Sequence, residues 1–150
     1  ITAIDAVLEV LVINRDRLRS TRIHYVQADI FTWIPAAQYD VIFFGFWLSH
    51  VPPPRFATFW QGLAAALAPA GRIFLVDSRY DPTSTATDHQ LEGRQATATT
   101  RRLNDGRDFR IVKIFYETES LAARLAKLRW RAKLAETKHY FLYGSVQREA

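Results

Sequence analysis

The 150-residue chain contains no cysteine and no methionine. Without cysteine there is no disulfide, no thiolate metal site and no cysteine nucleophile. No apolar run is long enough to span a bilayer, and no signal-peptide or lipidation pattern is present. A soluble, cytoplasmic setting without a membrane partner is therefore expected. None of the 6 glycines belongs to a glycine-rich, phosphate-type loop. There is no internal repeat and no linker, so a single domain over residues 1–150 is expected. A chain that opens on Ile1 and lacks methionine leads to the further expectation of a piece from a longer translation product.

Hydrophobic residues make up 49% of the chain, enough for a real core. The net charge of +5 is carried mostly by arginines spread along the chain, from Arg15 to Arg22, from Arg101 to Arg110 and beyond Arg124. Phosphate neutralisation needs only a basic face. No basic strand is interleaved with aromatics, however, and solvated helix and hairpin faces account for the charge. Nucleic acid is not an expected partner.

Ile1 to Ala6 reads as a short strand that delivers Asp5, followed by a helix from about Val7 with Leu8, Leu11, Val12 and Leu18 at helical spacing. Ile23 to Ala28 is a second strand, ending at Asp29. Val41 to Phe46 is continuously apolar, which predicts a central strand of a parallel sheet buried on both faces. After Pro52-Pro53-Pro54, the residues Phe56, Phe59, Trp60, Leu63 and Leu67 form a helical stripe that Pro69 and Gly71 end. Arg72 to Val76 is a fourth strand, closing on Asp77. Ser78 to Thr100 is a polar excursion with room for a short helix. Asn104-Asp105-Gly106 marks a hairpin between Thr97–Leu103 and Phe109–Tyr116. Leu121, Leu125 and Leu128 mark a helix. Trp130–Glu136 and Tyr140–Val146 are an antiparallel pair joined around Thr137-Lys138. Short connections between alternating strands and helices predict a doubly wound, Rossmann-like α/β fold with a mostly parallel sheet, an antiparallel C-terminal pair and an inserted hairpin.

Asp5 carries the most information. A carboxylate at the end of a strand is where nucleotide-binding α/β folds hold ribose hydroxyls, with a glycine-rich loop about 20 residues earlier. Only four residues precede Asp5. A strand-end turn or helix N-cap is the plainer alternative for Asp5, and the ribose role is favoured over it given its companions. An aspartate such as Asp29 after a strand is often a turn residue.

Taken in order, Ile4-Asp5-Ala6, Gln27-Ala28-Asp29-Ile30, the run Tyr39 to Val51 and Leu67 to Asp77 with Pro69 and Gly71 resemble the class I S-adenosylmethionine-dependent methyltransferases, entering at that family's second strand. The resemblance implies S-adenosylmethionine as cofactor and methyl transfer to a small-molecule acceptor. It implies that Asp5, with Ala6 beside it, accepts hydrogen bonds from the ribose hydroxyls. Asp29 would accept from the adenine amino group, the Ile30 amide would face a ring nitrogen, and the Ile30 or Phe31 side chain would cover the ring. Gly45, Phe46 and Trp47 would border the methionine part, where an aromatic face attracts a sulfonium; Phe46 also reads as a core aromatic. His50 is the candidate general base, should the acceptor need to lose a proton, against a plain loop histidine bonded to backbone. Asp77 and Arg79 could meet substrate, although Asp77 also simply ends its strand.

The family's first strand and glycine-rich loop have no counterpart in this sequence. That strand would lie between those ending at Asp5 and Phe46, and each buried group left unpaired there costs about 1–3 kcal/mol. Three arrangements follow: a longer natural protein, the two strands sliding together, or another chain filling the gap, which leaves a homo-oligomer open. The expectation is a piece of a longer methyltransferase that is weak or inactive alone. A non-catalytic binding or oligomerisation module is the alternative. A nicotinamide-dependent oxidoreductase shares the ribose carboxylate but accounts less well for Asp29-Ile30 and the final antiparallel strands.

Overall fold

Short apolar stretches set between turn residues fold into eight strands and three helices among the described residues, which are 1–83 and 93–149 of a computed structural model. The order is β1 (Thr2–Asp5), α1 (Leu8–Leu18), β2 (His24–Gln27), β3 (Tyr39–Gly45), α2 (Phe56–Ala66), β4 (Leu67–Ser78), β5 (Ala98–Arg102), β6 (Asp108–Val112), α3 (Thr118–Ala126), β7 (Trp130–Glu136) and β8 (Phe141–Arg148). Single turns of 3-10 helix at Leu48–His50 and Pro53–Arg55 separate β3 from α2. The three prolines thus build a turn ahead of α2 instead of lying inside it. Of the Ser78–Thr100 excursion, which has room for a short helix, residues 78–83 and 93–100 are described and hold no helix; the remainder lies outside the described residues.

The strands form a parallel pair, a mixed four-stranded sheet and a hairpin. β1 pairs with β2 in parallel; β3, β4, β8 and β7 form a second sheet in that order; β5 and β6 pair antiparallel by themselves. β3 runs parallel to β4, and β8 lies antiparallel between β4 and β7. The mixed sheet and crossover helices make this a Rossmann-like α/β fold. β1 and β3 do not pair with each other. Residues of both strands instead line one cleft of about 780 Å³.

The core lies on one face of the larger sheet. Phe59, Trp60 and Leu63 of α2, with Leu121 and Leu125 of α3, cover Ile73, Leu75, Leu142 and Val146. Ile42 and Phe44 pack against this cluster. The alternate residues of β3 do not: Val41 is 61% and Phe43 64% exposed. The expected burial of β3 on both faces is therefore corrected. α2 covers one face, and on the other Phe43 merely stacks on its register partner Phe74, with ring centroids 6.2 Å apart. β3 is also an edge strand of its sheet, not a central one.

Helix α1 shows the same shortfall. It packs on β1 and β2, and of its apolar stripe Leu11 is buried while Leu8 and Leu18 stay about half exposed. α2 ends at Ala66, and the chain is already paired at Leu67, which registers with Tyr39. The strand expected from Arg72 thus starts earlier, with an irregularity between Tyr39 and Val41. Gly71 permits this crossing, since a Cβ there would sit 3.0 Å from the carbonyl oxygens of Ala68 and Asp40.

Candidate active site

Parallel pairing carries two carboxylates to one end of the smaller sheet. Asp5 registers with Gln27, so the turn that follows β2 places Asp29 beside the turn that follows β1. Asp5 and Asp29 both line the cleft, together with Ala6, Ile30, Gly45 and Trp47. Each carboxylate is half used by its own backbone. The Val7 amide donates to Asp5 Oδ1 at 2.8 Å, and the Phe31 amide to Asp29 Oδ1 at 2.9 Å. One oxygen thus orients each side chain, and the second remains as an acceptor. The turn role and the ligand role, opposed in the sequence, are compatible in the fold.

Phe46 and His50 are not among the cleft-lining residues. Phe46 has φ of 55°, a left-handed conformation that costs energy in a non-glycine residue. Its amide donates to the Val76 carbonyl at 2.8 Å, and its ring packs edge-on against Phe141 at 5.7 Å. This turn directs the next residue, Trp47, to the cleft. Phe31 likewise packs against Trp47 and Phe59 under the Arg55 guanidinium, 3.7 Å above its ring, so Ile30 is the apolar side chain presented to the cleft.

His50 ends the single turn Leu48–His50. Its Nδ1 lies 2.7 Å from the Val112 carbonyl, which can only accept, so Nδ1 donates. Burial first of all holds its pKa below the ordinary 6.5, helped by the Lys113 and Arg101 charges and opposed by the Val112 bond and Asp77. A buried polar cluster lies alongside. Asp77, 1% exposed, accepts from the Ser49 amide at 2.8 Å and the Ser78 amide at 2.7 Å. Lys113, 8% exposed, donates to Ser49 Oγ at 3.0 Å and Ser78 Oγ at 3.3 Å, with Asp77 Oδ1 3.9 Å away. Burial pushes the Lys113 pKa below its usual value, against the pull of Asp77.

Asp77 is thus taken up by the cluster, while Arg79 pairs with Glu136 at 3.0 Å and lines a separate depression of about 300 Å³. Sequence reasoning missed Lys113 and Ser49. The available signal was a single cation inside the apolar run Ile111 to Tyr116. Among the described residues, no group of three or more histidine, aspartate or glutamate side chains could hold a metal.

No protein-family model matches the chain, and no curated protein matches it. Solved structures do. The chain is similar to DhpI in its SAH complex, with 34% identity over 99% of this chain and 65% of that one, at a TM-score of 0.82. Against the DhpI–SAM–HEP complex the identity is 35% over 97% of this chain and 67% of that one, again at 0.82. The chain belongs to the class I S-adenosylmethionine-dependent methyltransferase family. It spans about two thirds of the length of those relatives. The same family fold extends to the Burkholderia thailandensis 1,6-didemethyltoxoflavin-N1-methyltransferase, at 16% identity over 99% of this chain and 61% of that one, with a TM-score of 0.64.

Proposed function

We propose that residues 1–150 act as one methyltransferase domain that binds S-adenosylmethionine in the cleft between β1 and β3 and serves methyl transfer to a small-molecule acceptor. The observation that carries this reading is the convergence of Asp5 and Asp29, each already oriented by a backbone amide, on one cleft. Two acidic acceptors on adjacent strand ends suit a ribose diol and an adenine amino group. Ala6 and Ile30 follow those carboxylates and would contribute close backbone and an apolar lid for the ring. Gly45 admits a ligand near the backbone of β3, Trp47 offers an aromatic face to a sulfonium, and the strained backbone of Phe46 sets the path between them. His50 is the proposed base for an acceptor hydroxyl, held neutral with its lone pair on Nε2.

The structures of DhpI and of the toxoflavin-type methyltransferase, crystallised with SAM or SAH and, in the latter, with 1,6-didemethyltoxoflavin, support a small acceptor. Transfer by these 150 residues alone is proposed to be slow, because they supply no glycine-rich loop to hold the methionine part.

Titration with S-adenosylhomocysteine, followed by backbone amide NMR, tests the reading. Shifts concentrated at Asp5, Ala6, Asp29, Ile30, Gly45 and Trp47 are expected. Asp5→Asn keeps a carbonyl for the Val7 amide but loses a charged acceptor, and should weaken binding about tenfold or more. Shifts elsewhere, no shifts at millimolar ligand, or an unaffected Asp5→Asn chain would overturn it.

A further inference from the structure

Lys113 is an expensive residue where it stands. It sits in an apolar run, almost fully buried, where a methionine would pack without desolvating a charge. Its neighbours show what the ammonium does. The segment after β6 lies along the turn that carries His50: Val112 accepts from His50 Nδ1, Lys113 donates to Ser49 Oγ, and the Ile114 amide donates to the Ser49 carbonyl at 2.9 Å. On the far side, Asp77 at the end of β4 accepts from the Ser49 amide. The turn Leu48–His50 is therefore gripped from two elements: the Lys113 ammonium reaches the hydroxyls of Ser49 and Ser78, and the Asp77 carboxylate takes the amides of the same two residues.

We propose that Lys113 is a positioning residue for His50: by joining Ser49, Ser78 and Asp77 it seats the turn against Val112, which fixes the neutral imidazole as the Nδ1–H tautomer and leaves the lone pair on Nε2 for the acceptor's proton. The inference rests on the reading of His50 as base. With Val112 on Nδ1, a proton leaving an acceptor hydroxyl can be taken only at Nε2, producing an imidazolium. Three charged groups act on that ring: Lys113 beside it, Arg101 from β5 and Asp77 from β4. Lys113 and Arg101 oppose ring protonation and Asp77 favours it, so Lys113 also helps keep the ring ready to accept.

The test needs no acceptor. Long-range ¹H–¹⁵N spectra of the uniformly labelled 150-residue chain, recorded from pH 4.5 to 8.5, read the tautomer and titration of each histidine. His50 should show the Nδ1–H tautomer and titrate below the ordinary 6.5. In Lys113→Met the tautomers should mix and the titration of His50 should rise, since a charge opposing ring protonation is gone. Lys113→Arg should keep the low titration, since the charge remains. Should Lys113→Met not fold, Ser49→Ala removes one of the two hydroxyl contacts and should mix the tautomers alone. Wild-type His50 with mixed tautomers and a titration at or above 6.5, or folded Lys113→Met or Ser49→Ala chains with unchanged His50 signals, would overturn the proposal. Because these signals are read without S-adenosylhomocysteine, the clamp and the cofactor reading can fail independently.

Discussion

His50 illustrates how a single bond changes a residue's meaning. In the sequence it is a histidine after an apolar strand; in the fold its Nδ1 is tied to a carbonyl 62 residues away. Its pKa is held below 6.5, chiefly by burial, so the unfolded chain takes up the proton first as pH falls. The stability supplied by the neutral ring is thus complete above about pH 6.5 and declines as pH drops through that value towards the folded pKa. Urea midpoints at pH 8, 6.5 and 5.5 should fall in that order. His50→Asn, which can still donate to Val112 but does not titrate, should flatten the fall between pH 6.5 and 5.5; an unchanged slope would assign the loss to other groups. The two aspartates were legible because each sits where a strand stops. Lys113 was not, because its partners come from β4 and from the turn after β3, far away in the chain.

Among the elements, the hairpin was the most legible. Asn104-Asp105-Gly106 places a glycine at φ 87°, and β5 and β6 register from Ala98↔Val112 to Arg102↔Asp108 around it. The closing pair β7–β8 was legible too, but not that β8 slips between β4 and β7. Gly144 shows what that insertion demands. A Cβ there would lie 2.8 Å from the Leu134 Cα and collide with the Lys133 carbonyl oxygen, both in the backbone of β7. Gly144→Ala should therefore destabilise by about 3 kcal/mol. Gly62, inside α2, has nothing within 4 Å of its missing Cβ. Gly62→Ala should stabilise by about 0.5–1 kcal/mol through helix propensity. Urea denaturation of the two variants beside the parent chain checks the opposite signs.

Across the whole molecule, the larger sheet has one covered and one open face. Val41, Phe43, Phe74 and Tyr143 are exposed, and the first three belong to neighbouring strands β3 and β4. An apolar patch of this kind binds hydrophobic dyes. Anilinonaphthalene sulfonate fluorescence should rise in the presence of the folded chain, and Phe43→Ser should reduce that rise without shifting the circular dichroism of the fold. Equal fluorescence from the two chains would place the dye elsewhere.

Local pattern was enough to specify the order of strands and helices, the hairpin and the two carboxylates at strand ends, because periodicity, turn residues and the stop of an apolar run act within a few neighbours. Burial did not follow from pattern. The run Val41 to Phe46 is apolar on both sides, yet whether a side is covered depends on which element packs there, and α2 covers one. The cleft between β1 and β3, the insertion of β8 and the grip of Lys113 on the His50 turn arise from contacts between segments tens of residues apart. Such contacts are settled by packing and by the need to pair buried polar groups, and neither is written in any short stretch of chain.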